Sequence, residues 1–101
     1  MMSQIHPNSF ISKEVQLGKN VKIGPFCCIN GNIKLDDNTE LKSHVSITGK
    51  TSIGKNNLFY PFSNIGCEPQ DLKFKGEDSE LIIGNNNTFR ENVTISKGTL
   101  D

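Results

Sequence analysis

The sequence predicts an all-β chain wound as a parallel β-helix, a triangular prism of short strands joined by tight corners. Two observations carry this. Aliphatic residues recur every six positions, at Ile5, Ile11, Leu17, Ile23, Ile29, Leu35, Leu41, Ile47, Ile53 and Ile65, with Phe59 in the same frame and Ile83, Phe89 and Ile95 beyond. Small or β-branched residues such as Val21, Cys27, Thr39, Val45, Thr51 and Ser63 stand two places before the next member of that series. A period of six is neither helical nor plain alternation. It describes a short strand with one buried side, then a bend.

The bends come next. Asn8, Asn20, Asn32, Asn38, Asn56, Asn86, Asn92 and Gly98 fall three places after the aliphatic, and Gly18, Gly24, Gly54, Gly66 and Gly84 one place after it. Asn and Gly tolerate the positive φ that a sharp corner demands. Three such sides close a coil of 18 residues, and Ile5 to Leu100 leaves room for about five coils, fewer if a segment leaves the prism. Within this frame Cys27, Val45 and Val93 point inward, whereas Cys28, His44 and Lys97 do not. The chain reads as one domain, residues 1–101, interrupted by a loop at 67–80.

That interruption is the informative stretch. The frame demands aliphatics at positions 71 and 77 and finds Asp71 and Glu77. Burying either carboxylate unpaired is expensive, so the expectation is a loop from Cys67 to Glu80 rather than a distorted coil. Leu81 and Ile83 then restart the inward alternation. Long irregular excursions from a regular scaffold often carry function, and Gln70, Asp71 and Lys73 are the candidate binding residues. Composition alone would read the same segment as a solvated charged loop.

Composition narrows the class. Lys plus Arg is 11 and Asp plus Glu is 11, with no basic run, which argues against nucleic-acid binding. Phe26, Phe62 and Phe74 lack an accompanying basic stripe, so a base-stacking surface is not supported. The apolar fraction of 34% suits a thin prism core. No apolar run reaches bilayer length, and the N-terminus has no signal-peptide pattern, so neither membrane insertion nor export is expected. Cys27, Cys28 and Cys67 form neither a disulfide framework nor a zinc pattern, which fits a reducing cytoplasm. His6 and His44 sit at corners and read as solvated.

The series Ile5-His6-Pro7, Ile23-Gly24-Pro25-Phe26, Leu41-Lys42-Ser43-His44-Val45, Gln70-Asp71-Leu72-Lys73-Phe74, Gly76-Glu77 and Phe89-Arg90-Glu91-Asn92-Val93-Thr94-Ile95 resembles the UDP-N-acetylglucosamine acyltransferases of lipid A biosynthesis. The resemblance covers the whole chain in order. It implies a left-handed parallel β-helix and a cytoplasmic homotrimer with active sites between neighbouring prisms. It implies transfer of a 3-hydroxyacyl group from acyl carrier protein to the 3-hydroxyl of UDP-N-acetylglucosamine, with no cofactor and no metal. Gln70, Asp71 and Lys73 match family positions that reach substrate in a neighbouring subunit's cleft. The family's general-base histidine matches neither His6 nor His44 and is expected beyond Asp101, so the 101-residue chain is expected to be a fragment, inactive alone. Where relatives carry a His-Arg-Gly-Thr-like segment, this chain reads Ser96-Lys97-Gly98-Thr99, which removes that histidine.

Three other readings compete. The pathway's N-acyltransferase has a preceding uridine-binding domain, for which hexads starting at Ile5 leave no room. A γ-class carbonic anhydrase uses the same prism but needs three zinc histidines. A structural or ice-binding β-helix would show a flat Thr-rich face, and Glu14, Gln16, Lys22, Glu40 and Lys42 break that pattern.

Overall fold

Every strand of this protein is too short to bury its own apolar side, so each relies on a copy of itself one coil away. The computed structural model describes residues 3–67 and 80–96. The strands are β1 (Gln4–Ile5), β2 (Phe10–Ile11), β3 (Gln16–Leu17), β4 (Lys22–Ile23), β5 (Cys28–Leu35), β6 (Glu40–Leu41), β7 (Ser46–Ile53), β8 (Leu58–Phe59), β9 (Asn64–Cys67), β10 (Leu81–Ile83), β11 (Thr88–Phe89) and β12 (Thr94–Ser96). All pairings are parallel. One face of the prism is the sheet β1-β4-β6-β8-β11. The other two faces form one continuous sheet, because β5 and β7 run through the corner between them.

The register gives three aliphatic columns. Ile5, Ile23, Leu41, Phe59 and Phe89 stack on the first face. Ile11, Ile29, Ile47, Ile65 and Ile95 stack on the second, and Leu17, Leu35, Ile53 and Ile83 on the third. Ile29, Leu35, Ile47 and Phe59 have no exposed surface, whereas Ile5 in the first coil is 46% exposed. Position in the stack therefore decides burial more than residue type does. The inward assignments of Cys27 and Val45 hold, and Val93 is half-buried near the far end of the stack.

The small inward residues have a second role. At a corner the strand ladder lapses and leaves backbone groups unpaired, which is costly if they are shielded from water. A hydroxyl fills the gap from the neighbouring coil. Ser9 Oγ donates to the Gly24 carbonyl (2.6 Å) and accepts from the Cys27 N–H (3.0 Å). Thr39 does the same between Gly54 (2.9 Å) and Asn57 (3.4 Å). This is why the slot takes Ser, Thr and Asn as readily as Val.

The corners differ from the expectation in one respect. Asn20, Asn38, Asn56, Asn86 and Asn92 adopt positive φ as predicted, but Asn8 and Asn32 do not. At Asn32 the chain stays in β5, and the bend is taken by Gly31, with Gly49 in the matching place of β7. Gly24 is required for closeness rather than for φ: a Cβ there would overlap the Lys42 carbonyl oxygen.

Register also resolves the interruption. Strand partners before it are 18 residues apart, as in Glu40↔Leu58 and Ser46↔Asn64. Across it they are 30 apart, as in Leu58↔Thr88 and Thr51↔Leu81. A distorted coil would have kept the shorter offset. The chain instead resumes on the next face, with Ile83 beneath Ile53 and not beneath Ile65. Three turns of the shorter period therefore run uninterrupted, a longer one follows, and the described strands end one face later, slightly short of the five coils expected. The path between Cys67 and Glu80, and the placement of Lys97, lie outside the described residues.

Asn57 holds the coils together across that gap. It is 1% exposed, and its side-chain amide donates to the Gly84 carbonyl (2.8 Å) and the Lys55 carbonyl (3.3 Å). Its oxygen accepts from the Asn87 N–H (2.9 Å). Asn57→Ala removes the bridge and should cost about 1–3 kcal/mol, the usual penalty for leaving such groups unpaired. Hydrogen exchange should then speed up in 81–95 more than in 28–53. Equal melting of mutant and wild type would deny the bridge any stabilising role.

The two adjacent thiols give a direct check on the frame. Cys27 is 2% exposed and burial pushes its thiol up from the ordinary range, whereas Cys28 is exposed. Both effects make Cys27 the slower nucleophile. Alkylation of the folded protein, mapped by peptide mass, should mark Cys28 well before Cys27, and the opposite order would invert the assignment of faces.

Candidate functional site

The predicted binding residues Gln70, Asp71 and Lys73 lie outside the described residues. What the structure gives is the platform to either side of them. On the N-terminal side lies Gly66 in β9, whose φ is +79° and whose Cα packs so tightly that a Cβ would overlap the Thr48 carbonyl oxygen and Thr51 Oγ1. Thr51 Oγ1 in turn donates to the Thr48 carbonyl (3.0 Å) and fixes that corner of β7. On the C-terminal side lies β10, paired directly with Thr51, Ser52 and Ile53 of β7. Both ends of the inserted segment are thus pinned to one strand, within a few residues of each other.

Beside the point of return lies a shallow surface recess of about 140 Å³, lined by Lys34, Asp36, Ser52, Ile53, Gly54, Ile82 and Ile83. Ile82 is 72% exposed there, the most exposed large apolar residue described. A larger recess of about 310 Å³ lies on the first face around Gly24, with His6, Lys22, Glu40 and Lys42 at its edge. Further along that face the cation of Arg90 sits 4.1 Å from the Tyr60 ring centroid and Lys42 Nζ sits 5.3 Å from it, a cation–π arrangement. Arg90 also pairs with Glu91 at 3.5 Å, in solvent.

The two histidines sit at corners, as read from the sequence, and both are exposed. His6 accepts a hydrogen bond at Nδ1 from the Asn8 N–H (3.1 Å). His44 is less ordinary. It has φ of +52°, and its ring lies between those of Phe26 (5.2 Å between centroids) and Phe62 (4.9 Å). Phe26 and Phe62 are themselves in the left-handed region, at φ +60° and +67°. Bulky residues held there store about 1–3 kcal/mol each. Sequence reading treated these three separately, although their shared spacing of one coil was available as a signal. Among the described residues no cluster of His, Cys, Asp and Glu could hold a metal ion, and no helix is long and apolar enough to cross a membrane.

Residues 14–49 match the bacterial transferase hexapeptide family (six repeats). The chain is 55% identical over 97 residues to the acyl-[acyl-carrier-protein]–UDP-N-acetylglucosamine O-acyltransferase of Rickettsia canadensis, covering 96% of this chain and 37% of that protein. With the enzyme of the same name from Rickettsia bellii it shares 53%, over 96% of this chain and 34% of the relative. The crystal structure of the UDP-N-acetylglucosamine acyltransferase from Bacteroides fragilis superposes with a TM-score of 0.91 at 45% identity, over 95% of this chain and 38% of that one. The Moraxella catarrhalis enzyme gives 0.91 at 43%, over 95% and 37%. The chain spans little more than a third of the length of these relatives.

An eighteen-residue parallel ladder, inward aliphatic columns, asparagine corners and a close superposition on solved acyltransferases agree with one another. The chain belongs to the hexapeptide-repeat transferases, as a left-handed parallel β-helix of the UDP-N-acetylglucosamine acyltransferase kind.

Proposed function

We propose that this chain forms part of an enzyme that moves a 3-hydroxyacyl group from acyl carrier protein to the 3-hydroxyl of UDP-N-acetylglucosamine, the first step of lipid A assembly, in the cytoplasm and as a homotrimer. The observation that carries the reading is a coincidence of place. The Gln70-Asp71-Leu72-Lys73 segment falls within the residues by which the coil offset grows from 18 to 30, and the chain is 55% identical over 97 residues to an enzyme named as an acyl-[acyl-carrier-protein]–UDP-N-acetylglucosamine O-acyltransferase.

The chemistry needs few parts. A base takes the proton of the sugar hydroxyl, and the oxygen attacks the thioester carbonyl. The tetrahedral adduct then collapses, forming the ester and expelling the carrier's thiolate, which takes up a proton. An imidazole suits the first step because it titrates near neutral pH. Neither His6 nor His44 fits that role in this reading, and the base lies outside these 101 residues. Asp71 accepts hydrogen bonds from sugar hydroxyls, and Lys73 meets the pyrophosphate charge. Gln70 offers an amide to the same ligand. In this reading all three serve substrate held in a neighbouring subunit's cleft. Residues 1–101 alone would turn over no substrate.

In the intact enzyme that this reading requires, Lys73→Ala should weaken nucleotide-sugar binding by about 1.5–3 kcal/mol, and Asp71→Ala by a similar amount. Neither should lower the melting temperature much, because exposed positions away from the core seldom do. Calorimetric binding and thermal unfolding on the same samples check this. Mutants that melt early yet bind normally would make the segment a structural clasp and end the assignment.

A further inference from the structure

The outward side chains of the first face stand in two rows. One follows the strand register through Gln4, Lys22, Glu40, Leu58 and Thr88. The other lies one place after the aliphatic column and runs through His6, Gly24, Lys42, Tyr60 and Arg90. Backbone bonds fix its rungs, as from the His6 N–H to the Ile23 carbonyl (2.9 Å) and from the Gly24 N–H to the Leu41 carbonyl (2.8 Å). This second row lacks one side chain, at Gly24, and the gap is the recess of about 310 Å³. The fold keeps it open, because a Cβ on Gly24 would overlap the Lys42 carbonyl oxygen.

The polar groups around the gap are uncommitted. Lys22 and Glu40 are direct strand partners, and opposite charges so placed ordinarily attract each other into contact. Among the described residues neither Lys22 nor Lys42 forms an ion pair with Glu40. Lys42 Nζ lies 5.3 Å from the Tyr60 ring centroid, but Arg90 holds that ring more closely, at 4.1 Å. His6 accepts the Asn8 N–H at Nδ1 (3.1 Å), so its neutral ring carries the proton on Nε2 and offers a donor there. Two ammonium groups, an imidazole N–H, a carboxylate and the Gln4 amide therefore border one concavity. Its volume is at the lower end of the range for small-ligand sites.

We propose that this recess binds a phosphorylated sugar or polyol, with the phosphate on Lys22, Lys42 and His6 and the hydroxyls on Glu40 and Gln4. The charges select the class. Each lysine meets a phosphate as a point charge with three donors. The Glu40 carboxylate repels a bare anion but accepts hydrogen bonds from hydroxyls, so the recess favours a ligand that carries both kinds of group. An apolar ligand would strip water from these groups and return no hydrogen bonds. The proposal does not rest on the reading above, since it uses none of the residues assigned there.

Amide NMR of the 101-residue chain, titrated with glucose-1-phosphate, inorganic phosphate and glucose, tests the proposal. Glucose-1-phosphate should shift the amides of residues 4–6, 22–24 and 40–42 in one saturable event. Inorganic phosphate should shift the same set with weaker affinity, and glucose should not shift it. Lys22→Ala and Lys42→Ala should each raise the dissociation constant roughly tenfold, the size of effect expected for a hydrogen bond to a charged group. Lys34→Ala, on the third face, should leave it unchanged. Glu40→Gln should tighten inorganic phosphate and narrow its difference from glucose-1-phosphate. These side chains lie outside the core, so the variants should melt as wild type does. Shifts confined to other residues, or no shifts at all, overturn the proposal. So does binding that survives both lysine variants. Equal affinity for glucose-1-phosphate and inorganic phosphate overturns it as well, because the recess would then not read the sugar.

Discussion

The parallel backbone ladder between residues one coil apart is the interaction on which this structure depends. Lys22 donates to Thr39 at 3.0 Å, Lys42 to Phe59 at 3.0 Å and Tyr60 to Phe89 at 2.8 Å, each rung handing the chain to the next. Among the described residues no strand has a partner within its own coil. Removing one coil exposes the layers on both sides of it, so stability is close to a sum of neighbour terms with weak ends. The exposed Ile5 and the fully buried Phe59 are the same kind of slot at different depths. The side-chain bridges from Ser9, Thr39 and Asn57 serve the ladder where corners interrupt it.

Much of this was legible because a six-residue period has few physical solutions. The inward set from Val21 to Ile65 follows from the spacing, and the order of burial between Cys27 and Cys28 follows from the alternation of a strand. The break at Asp71 and Glu77 was visible as a loss of aliphatic slots. The preference for a loop over a distorted coil came from the cost of burying those carboxylates and not from the spacing, since Ile83 falls in the six-residue frame whichever face it occupies. Only strand register, which sequence does not carry, places it beneath Ile53. Asn57 was hidden for a related reason. An amide in an inward slot looks like an error until the Gly84 carbonyl and the Asn87 N–H are known to surround it.

The candidate site was legible only as a motif. Gln70, Asp71 and Lys73 were singled out because charge replaced aliphatics, and the described platform adds a reason for their location. Gly66 and β10 lie against the same strand, β7, on either side of them. The corner at His44 shows the opposite limit. Three residues there were read one by one as a solvated histidine and two phenylalanines without a role, because side-chain stacking along the axis is invisible until coils are aligned at 18 residues.

The growth of the coil offset from 18 to 30 has an evolutionary corollary. The difference is two hexads, so an insertion of that size leaves every later residue with its inward or outward sense unchanged. Within the strands, a gain or loss that is not a multiple of six would put the following aliphatics out of this frame. Coils joined at a seam that keeps the hexad frame would keep their aliphatics inward, because each strand takes its sense from the coil it stacks on.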